Sequence, residues 1–133
     1  MNVASVDTNV LLRALITQDA EQSRAARALL TTDGWVFRVD LLVFAEFVHA
    51  LDRHYGQSRP RIAEMVRAVV NLDRVECAAE VVLGAVARYL DHPKLSFEDC
   101  CLAERARRDG AVPLWTFDRK LAAQADCARL VGG

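Results

Sequence analysis

The stretch NVASVDTNVLLRAL, residues 2–15, joins a strand pattern to a helix pattern across a very short gap. The run from Val3 to Val6 predicts a strand that ends at Asp7, and the apolar residues from Val10 to Leu15 predict a helix. Both elements look buried, and a buried carboxylate is costly unless it is paired or holds a metal. Asp7 therefore needs a partner from elsewhere in the sequence, or it serves as the N-cap of the following helix.

The same alternation of short strands and longer helical patterns continues along the chain. Such an order is typical of an α/β fold with a parallel sheet covered by helices on both faces. The patterns predict strands over about 2–6, 35–39, 74–78, 111–117 and 128–131, and helices over about 10–16, 19–30, 41–54, 60–71, 80–91, 96–110 and 118–125.

Composition indicates an ordinary globular protein. With 133 residues we expect a single domain over 1–133. The net charge of −1 gives no electrostatic case for nucleic-acid binding, although a small local basic patch is compatible with it. The four cysteines have no C-x-x-C spacing, no signal peptide is evident, and no apolar run reaches the roughly 18 residues of a membrane span. We therefore expect a cytoplasmic protein with reduced thiols and no membrane contact.

Most of the 18 acidic residues have ordinary structural explanations. Asp33 and Asp109 precede glycines in turns, and Asp40 is a suitable N-cap for the helix over 41–54. Three further acids share helix faces with arginines, and we expect weak, solvated pairs from them: Glu21, Glu64 and Glu104.

Two acids lie within helical patterns in a way that favours a functional role. Glu46 is the only acid in LLVFAEFVHAL, residues 41–51, and we expect it to be desolvated unless it pairs with His49 or an arginine. Asp99 lies three residues after Ser96, the predicted N-cap, and a capping box is its alternative role. Asp99 aligns with Leu102, Ala103 and Ala106, so we expect it to point inward near a helix N-terminus that favours its charge.

Asp118 follows LWTF at the predicted end of the fourth strand. It is either an N-cap, in competition with Thr116, or a member of a site. Because the carboxyl ends of parallel strands share one edge, Asp7, Asp118, Asp99 and Glu46 are expected to converge there. Such carboxylates repel one another without a counter-charge, and oxygen ligands favour hard cations. The expected cofactor is Mg²⁺ or Mn²⁺.

Two other functions are compatible with the same acids. A non-catalytic binding module would hold a structural cation or a basic peptide with them. A receiver-like phosphoacceptor domain also gathers acids at strand ends, but paired early acids and a lysine after a late strand are missing from the expected arrangement.

The four acids occur in segments that resemble the motifs of PIN-domain ribonucleases, and in particular of VapC-type toxins. VDTNVLLR resembles the first motif with Asp7, and VFAEFVHAL resembles the second with Glu46. SFEDCCLAERAR resembles the third with Asp99, and WTFDRKLA the fourth with Asp118. The pair Cys100-Cys101 replaces a more usual alanine-rich pair, and the departure bears on metal access and redox sensitivity.

The resemblance implies a PIN-like three-layer sandwich with a five-stranded, mainly parallel sheet. It also implies a homodimer and a cognate antitoxin protein that covers the site. The implied activity is metal-dependent hydrolysis of RNA phosphodiester bonds, with Asp7, Asp99 and Asp118 as principal metal ligands and Glu46 as a ligand or as the group that orients the attacking water. Expected orienting donors are Thr8, Asn9 and Thr116, and expected RNA contacts are Arg13, Arg119 and Lys120.

Overall fold

The computed structural model describes residues 1–16 and 19–133. Strands and helices alternate along it as the sequence predicts, with ends that differ by a few residues. The strands are β1 Asn2–Ser5, β2 Trp35–Arg38, β3 Val75–Glu76, β4 Leu114–Thr116 and β5 Ala128–Leu130. The helices are α1 Thr8–Leu15, α2 Ala20–Leu30, α3 Leu41–Arg53, α4 Arg59–Val70, α5 Ala79–Asp91, α6 Phe97–Arg108 and α7 Arg119–Gln124.

Polar caps determine where several helices begin. Asp40 accepts a hydrogen bond from the Leu42 N–H at 2.9 Å, and Ser96 accepts one from the Asp99 N–H at 3.1 Å. Each cap satisfies a backbone donor that the first helical turn leaves without a partner. Both N-caps predicted from the sequence are confirmed.

The fold consists of two compact units, Met1–Ala79 and Glu80–Gly133. In the first unit the strands pair in the order β1-β2-β3, and both pairings are parallel. Asn2 pairs with Trp35 and Phe37 with Val75. The sheet packs with helices over an apolar core whose fully buried members include Leu11, Phe37, Phe44, Phe47, Leu51 and Ile62.

In the second unit β4 and β5 form a parallel pair, with Trp115 opposite Arg129. Helix α7 connects the two strands, as a parallel pairing requires a crossover. Helices α5 and α6 carry most of the buried residues of this unit, and the rings of Tyr89 and Phe97 meet edge to face at 5.8 Å between centroids.

The buried face of α2 differs from the one that its sequence pattern suggests. In α2 the sequence suggests a face of Ala25, Ala28 and Leu29, but all three are exposed, and the buried stripe is Ser23, Ala26 and Leu30. The small side chains of Ser23 and Ala26 allow close packing on that stripe, and Leu30 anchors its end. The sequence of α3, α4 and the residues between them leaves open whether their large side chains are internal or form a partner surface. Phe44, Phe47, Val48 and Met65 are buried within the chain, and Tyr55 is half-buried.

No helix in the described part of the chain is both long enough and apolar enough to cross a membrane.

Candidate active site

Asp7 is an exposed N-cap at the carboxyl end of β1. Its backbone is extended, and its Oδ1 accepts a hydrogen bond from the Val10 N–H at 3.2 Å. The buried setting expected for this carboxylate is wrong, because β1 is itself largely exposed and Val6 is the only buried residue among 2–9. The N-cap alternative is confirmed, and it leaves Oδ2 without a hydrogen bond among residues 1–16 and 19–133.

Glu46 is also exposed, contrary to the expected desolvation. The buried residues of α3 are Phe44, Phe47, Val48 and Leu51. Among the helical neighbours of Glu46, Leu42 and His49 are exposed, and Val43 and Ala50 are half-buried. Neither His49 nor an arginine pairs with it. Its partner is Thr8, whose Oγ1 donates to Glu46 Oε2 at 2.9 Å.

The Thr8–Glu46 hydrogen bond joins two of the segments that resemble family motifs. Thr8 directly follows Asp7, so the bond holds the Glu46 carboxylate beside the carboxyl end of β1. Within the first unit the structure thus brings together a strand-end aspartate, a helical glutamate and a hydroxyl donor that orients the glutamate.

Asp99 is half-buried in the first turn of α6. Its N–H donates to Ser96, while its carboxylate makes no hydrogen bond within the described ranges. The inward face expected from the sequence is correct for Ala103 and Ala106, which are buried, but wrong for Leu102, which is 53% exposed. Asp99 therefore lies at the border of the buried face.

Asp118 is the N-cap of α7, which settles its competition with Thr116. Its Oδ1 accepts hydrogen bonds from the N–H groups of Lys120 at 2.8 Å and Leu121 at 3.2 Å. Thr116 has a different role, because its Oγ1 accepts a hydrogen bond from the Asp118 N–H at 2.9 Å. The carboxylate is exposed, and its Oδ2 has no hydrogen bond in the described part of the chain.

The donor chemistry of these acids suits a hard divalent cation. Each carboxylate keeps at least one oxygen that is not hydrogen-bonded within residues 1–16 and 19–133, and Mg²⁺ and Mn²⁺ prefer such oxygens. Among the same residues, no group of three or more His, Cys, Asp or Glu side chains is arranged to hold a metal ion. The residues fit the cation by ligand type.

The other predicted residues have varied surroundings. Asn9 is exposed. Arg13 donates from Nε to Gln22 Oε1 at 2.7 Å, so part of its guanidinium is engaged. Arg119 and Lys120 are exposed in the first turn of α7, directly after Asp118.

Glu104 is a residue whose role the sequence analysis missed. The predicted solvated pair is wrong, because Glu104 is buried and its two carboxylate oxygens accept hydrogen bonds from three arginines. Arg88 Nε donates to Oε1 at 2.9 Å, while Arg107 Nη2 and Arg108 Nε donate to Oε2 at 2.7 Å each. Burial alone would raise the pKa of this carboxyl, but the three charged donors outweigh it and lower the pKa to about 2.

The four cysteines are free, and Cys100 and Cys101 are buried in α6. Burial, with smaller contributions from Cys100 and Glu98 that Arg105 partly offsets, raises the pKa of the Cys101 thiol to about 12. This thiol is therefore protonated at neutral pH and is a poor metal ligand there.

Comparison with known proteins gives the family. The seven helices of the described residues and their parallel strands confirm the predicted α/β fold class. No curated protein matches the chain. The sequence model of the PIN domain matches residues 4–126, which include all four candidate acids, and PIN domains are generally nucleases that use divalent metal ions. Because the match covers nearly the whole sequence, the chain belongs to the PIN domain family.

Proposed function

We propose that the chain is a divalent-metal-dependent endoribonuclease and the toxin component of a toxin–antitoxin pair. The observation that carries the proposal is the Thr8–Glu46 hydrogen bond, because it holds the acids of two motif-like segments at one strand end. The family match supports a nuclease, and the likeness of all four segments to VapC-type motifs supports the narrower assignment.

In this proposal the acidic residues hold the cation. Asp7, Asp99 and Asp118 are the principal ligands, and Glu46 is a ligand or orients the attacking water. A bound Mg²⁺ or Mn²⁺ supplies activation of that water and stabilisation of charge on the leaving 3′ oxygen.

The chain's own residues supply orientation. The caps on α1 and α7 fix one oxygen of Asp7 and of Asp118, so the second oxygen of each has a defined direction. The Thr8 hydroxyl does the same for Glu46, and Thr116 fixes the backbone of Asp118. Orientation of ligands by such neighbouring donors raises metal affinity and activity.

Replacement of the cap aspartates by asparagine separates the proposed chemistry from the structural role. Asn is as good an N-cap as Asp, so Asp7→Asn and Asp118→Asn should fold normally while losing the ligand charge. We expect each to lower RNA cleavage at least about 100-fold, as loss of a ligand in a metal-dependent active site would, with an unchanged circular dichroism spectrum and unfolding midpoint. Asp19→Asn is the matched control, because Asp19 is likewise an exposed N-cap but is not a candidate ligand.

Chelation gives the corresponding test of the cation. EDTA should stop cleavage and added Mn²⁺ should restore it, with Mn²⁺ binding measured by isothermal titration on the same preparation. Cleavage that persists in EDTA contradicts the mechanism, and Mn²⁺ binding without cleavage would instead identify a non-catalytic binding module.

The proposed partners follow from the toxin assignment. The chain forms a homodimer, and an antitoxin segment covers the acidic residues, where an arginine or lysine would replace the charge of the cation. Light scattering on the isolated chain should give the mass of a dimer. A monomer at tens of micromolar contradicts the homodimer, and an inhibitor bound far from Asp7 and Asp99 contradicts charge replacement.

A further inference from the structure

One face of the β4–β5 pair is exposed and carries two aromatic rings. Along β4 and the residue after it, Trp115 is 56% and Phe117 is 80% exposed, while the intervening Thr116 is half-buried. Along β5 and the residue after it, Arg129 and Val131 are exposed and Leu130 is half-buried. Trp115 and Arg129 are paired in the register of the two strands and lie on the same side. Phe117 and Val131 follow the strand ends and are also exposed, and we call these four residues the aromatic face.

The aromatic face begins beside a candidate catalytic acid. Phe117 directly precedes Asp118 in the chain, and Trp115 lies two residues before Phe117, opposite Arg129 in the register. The Val131 N–H donates to Thr116 O at 3.0 Å, so the pairing continues past the strand ends toward Phe117.

The other end of the aromatic face leads into a basic cavity. This cavity has a volume of about 540 Å³, and Arg129 is one of its lining residues together with Val112 and Pro113 at the start of β4. Arg88 and Arg107 also line it, and Asp126 is its one acidic lining residue among those that the structure describes.

Donors for an anion remain available in the cavity. Arg129 has no hydrogen bond or ion pair within residues 1–16 and 19–133. Arg88 and Arg107 bind Glu104 through Nε and Nη2 respectively, so each keeps further N–H groups that the Glu104 carboxylate does not occupy. Arginine forks of this kind suit phosphate oxygens.

We infer that the aromatic face binds single-stranded RNA that flanks the cleaved bond, with bases stacked on Trp115 and Phe117 and phosphates held by Arg129 and the basic cavity. This inference rests on the proposed function only in taking RNA as the ligand.

The spacing between the two aromatic residues favours a single strand over a duplex as the ligand. Trp115 lies in β4 and Phe117 directly follows it, and residues two apart in extended chain are separated by about 6.6 Å, whereas bases in a helix are stacked at about 3.4 Å. Neighbouring bases can reach different rings only when the strand is extended, as on the stacking platforms of single-strand binding proteins.

Charge favours RNA over a second copy of this chain. In a symmetric contact between aromatic faces, each copy would bring the three arginines of the cavity, and the acids it would bring are Asp126 in the cavity lining and Asp118 beside Phe117. A polyanion with apolar base faces complements both the arginines and the rings.

The experiment uses a short oligouridine in EDTA, so that binding is measured without hydrolysis. In a Trp35→Phe background, Trp115 is the remaining tryptophan, and we expect the oligouridine to quench its fluorescence. Anisotropy of labelled RNA should show that Trp115→Ala and Phe117→Ala each weaken binding about tenfold, while Trp115→Phe retains most of the affinity. The matched control is Leu83→Ala, an exposed apolar residue of α5, which should leave the affinity unchanged.

The cavity is tested by salt dependence. Arg129→Gln should weaken binding and reduce the slope of log affinity against log salt by about 0.7, the value for one phosphate contact to a single strand. The same oligouridine annealed to its complement should bind more weakly than the free strand.

Three results would overturn the inference: absence of quenching, unchanged affinity in Trp115→Ala, or a duplex that binds as tightly as the single strand. A fall in oligomeric mass on Trp115→Ala without loss of RNA affinity would identify a protein–protein contact instead. If the nuclease proposal alone is wrong, the result is different: the oligouridine binds normally in EDTA but is not cleaved when Mn²⁺ is added.

Discussion

At the scale of single residues, Glu104 shows how strongly surroundings decide what a carboxylate does. It is 3% exposed and accepts hydrogen bonds from three arginines that come from two helices. The candidate acids at Asp7 and Asp118 are exposed and accept only backbone hydrogen bonds. The first arrangement stabilises charge inside the protein, and the second leaves an oxygen for a ligand.

Glu104→Gln should destabilise the chain, because it leaves buried or partly buried guanidinium groups without their counter-charge. We expect a loss of about 2–3 kcal/mol in the free energy of unfolding, below the value for fully buried pairs since Arg107 is half exposed and solvent screens it. Urea unfolding measures the change. Glu64→Gln is the matched control, since its pair with Arg61 is solvent-exposed and should change stability by a few tenths of a kcal/mol.

The effect of Glu104 should depend on pH in a defined direction. Its pKa is lowered from 4.5 to about 2 in the folded chain, so the folded state binds a proton less readily than the unfolded state. The stabilisation is complete above pH 4.5 and is lost as the pH falls through about 2. The difference in stability between the parent and Glu104→Gln should therefore be constant above pH 5 and shrink below it, and a constant difference down to pH 2.5 would contradict this account.

The sequence could have indicated Glu104 only in part. Arg107 and Arg108 follow it at helical spacing, which is typical of a surface pair. Arg88 comes from a different helix, and nothing in the local pattern places it there. The sequence feature that could have indicated a close neighbour of α5 is Gly84, an otherwise unexplained glycine in this apolar helix.

At the scale of elements, Gly84 sets how closely α5 and α6 approach. A Cβ built at this position would overlap the Glu104 side chain. The glycine thus makes room for the carboxylate between the two helices, at the cost of about 1 kcal/mol in helix propensity.

Gly84→Ala tests this packing through a double-mutant cycle. In the parent we expect the variant to be destabilised, because the clash with Glu104 exceeds the gain in helix propensity. In a Glu104→Ala background, where the side chain is truncated, the same change should stabilise by up to about 1 kcal/mol. Equal effects of Gly84→Ala in both backgrounds would show that Glu104 is not the neighbour that matters.

The order and type of the elements could be predicted from the sequence. The spacing of apolar residues and the capping residues are local features that indicate a strand or a helix. Asp40 and Ser96 marked helix starts correctly, and each strand was found near its true position. Exposure could not be predicted as well, because it depends on what packs against an element. Glu46 has apolar neighbours at helical spacing, yet Leu42 among them is exposed and Val43 and Ala50 are only half-buried.

At the scale of the whole molecule, the charge is nearly balanced. The net charge of −1 provides no general attraction for a polyanion, so RNA affinity has to come from a few local cations. Asp7 and Glu46 belong to the first compact unit and Asp99 and Asp118 to the second, and a single domain over 1–133 stays a prediction.

Substitution of the cations beside Asp118 should therefore have a clear effect on RNA binding. Arg119→Gln and Lys120→Gln should each weaken binding in EDTA and lower the salt slope by about 0.7 if each contacts one phosphate. Arg61→Gln is the control, because Arg61 is exposed but paired with Glu64 and distant in sequence from the motif acids. If the slope of log affinity against log salt in these variants equals that of the parent, Arg119 and Lys120 do not contact RNA phosphates.

The backbone bonds to Asp7 and Asp118 have a thermodynamic consequence for any ligand. Immobilising a side chain on binding usually carries an entropic penalty of about 0.5–1.5 kcal/mol, because rotamers are lost. Here most of that torsional freedom is already lost when α1 and α7 form, since each carboxylate is held by an N–H of the first turn. Capture of a cation by these two groups should accordingly have a smaller unfavourable conformational entropy than capture by an exposed aspartate that is not an N-cap, such as Asp52 near the end of α3.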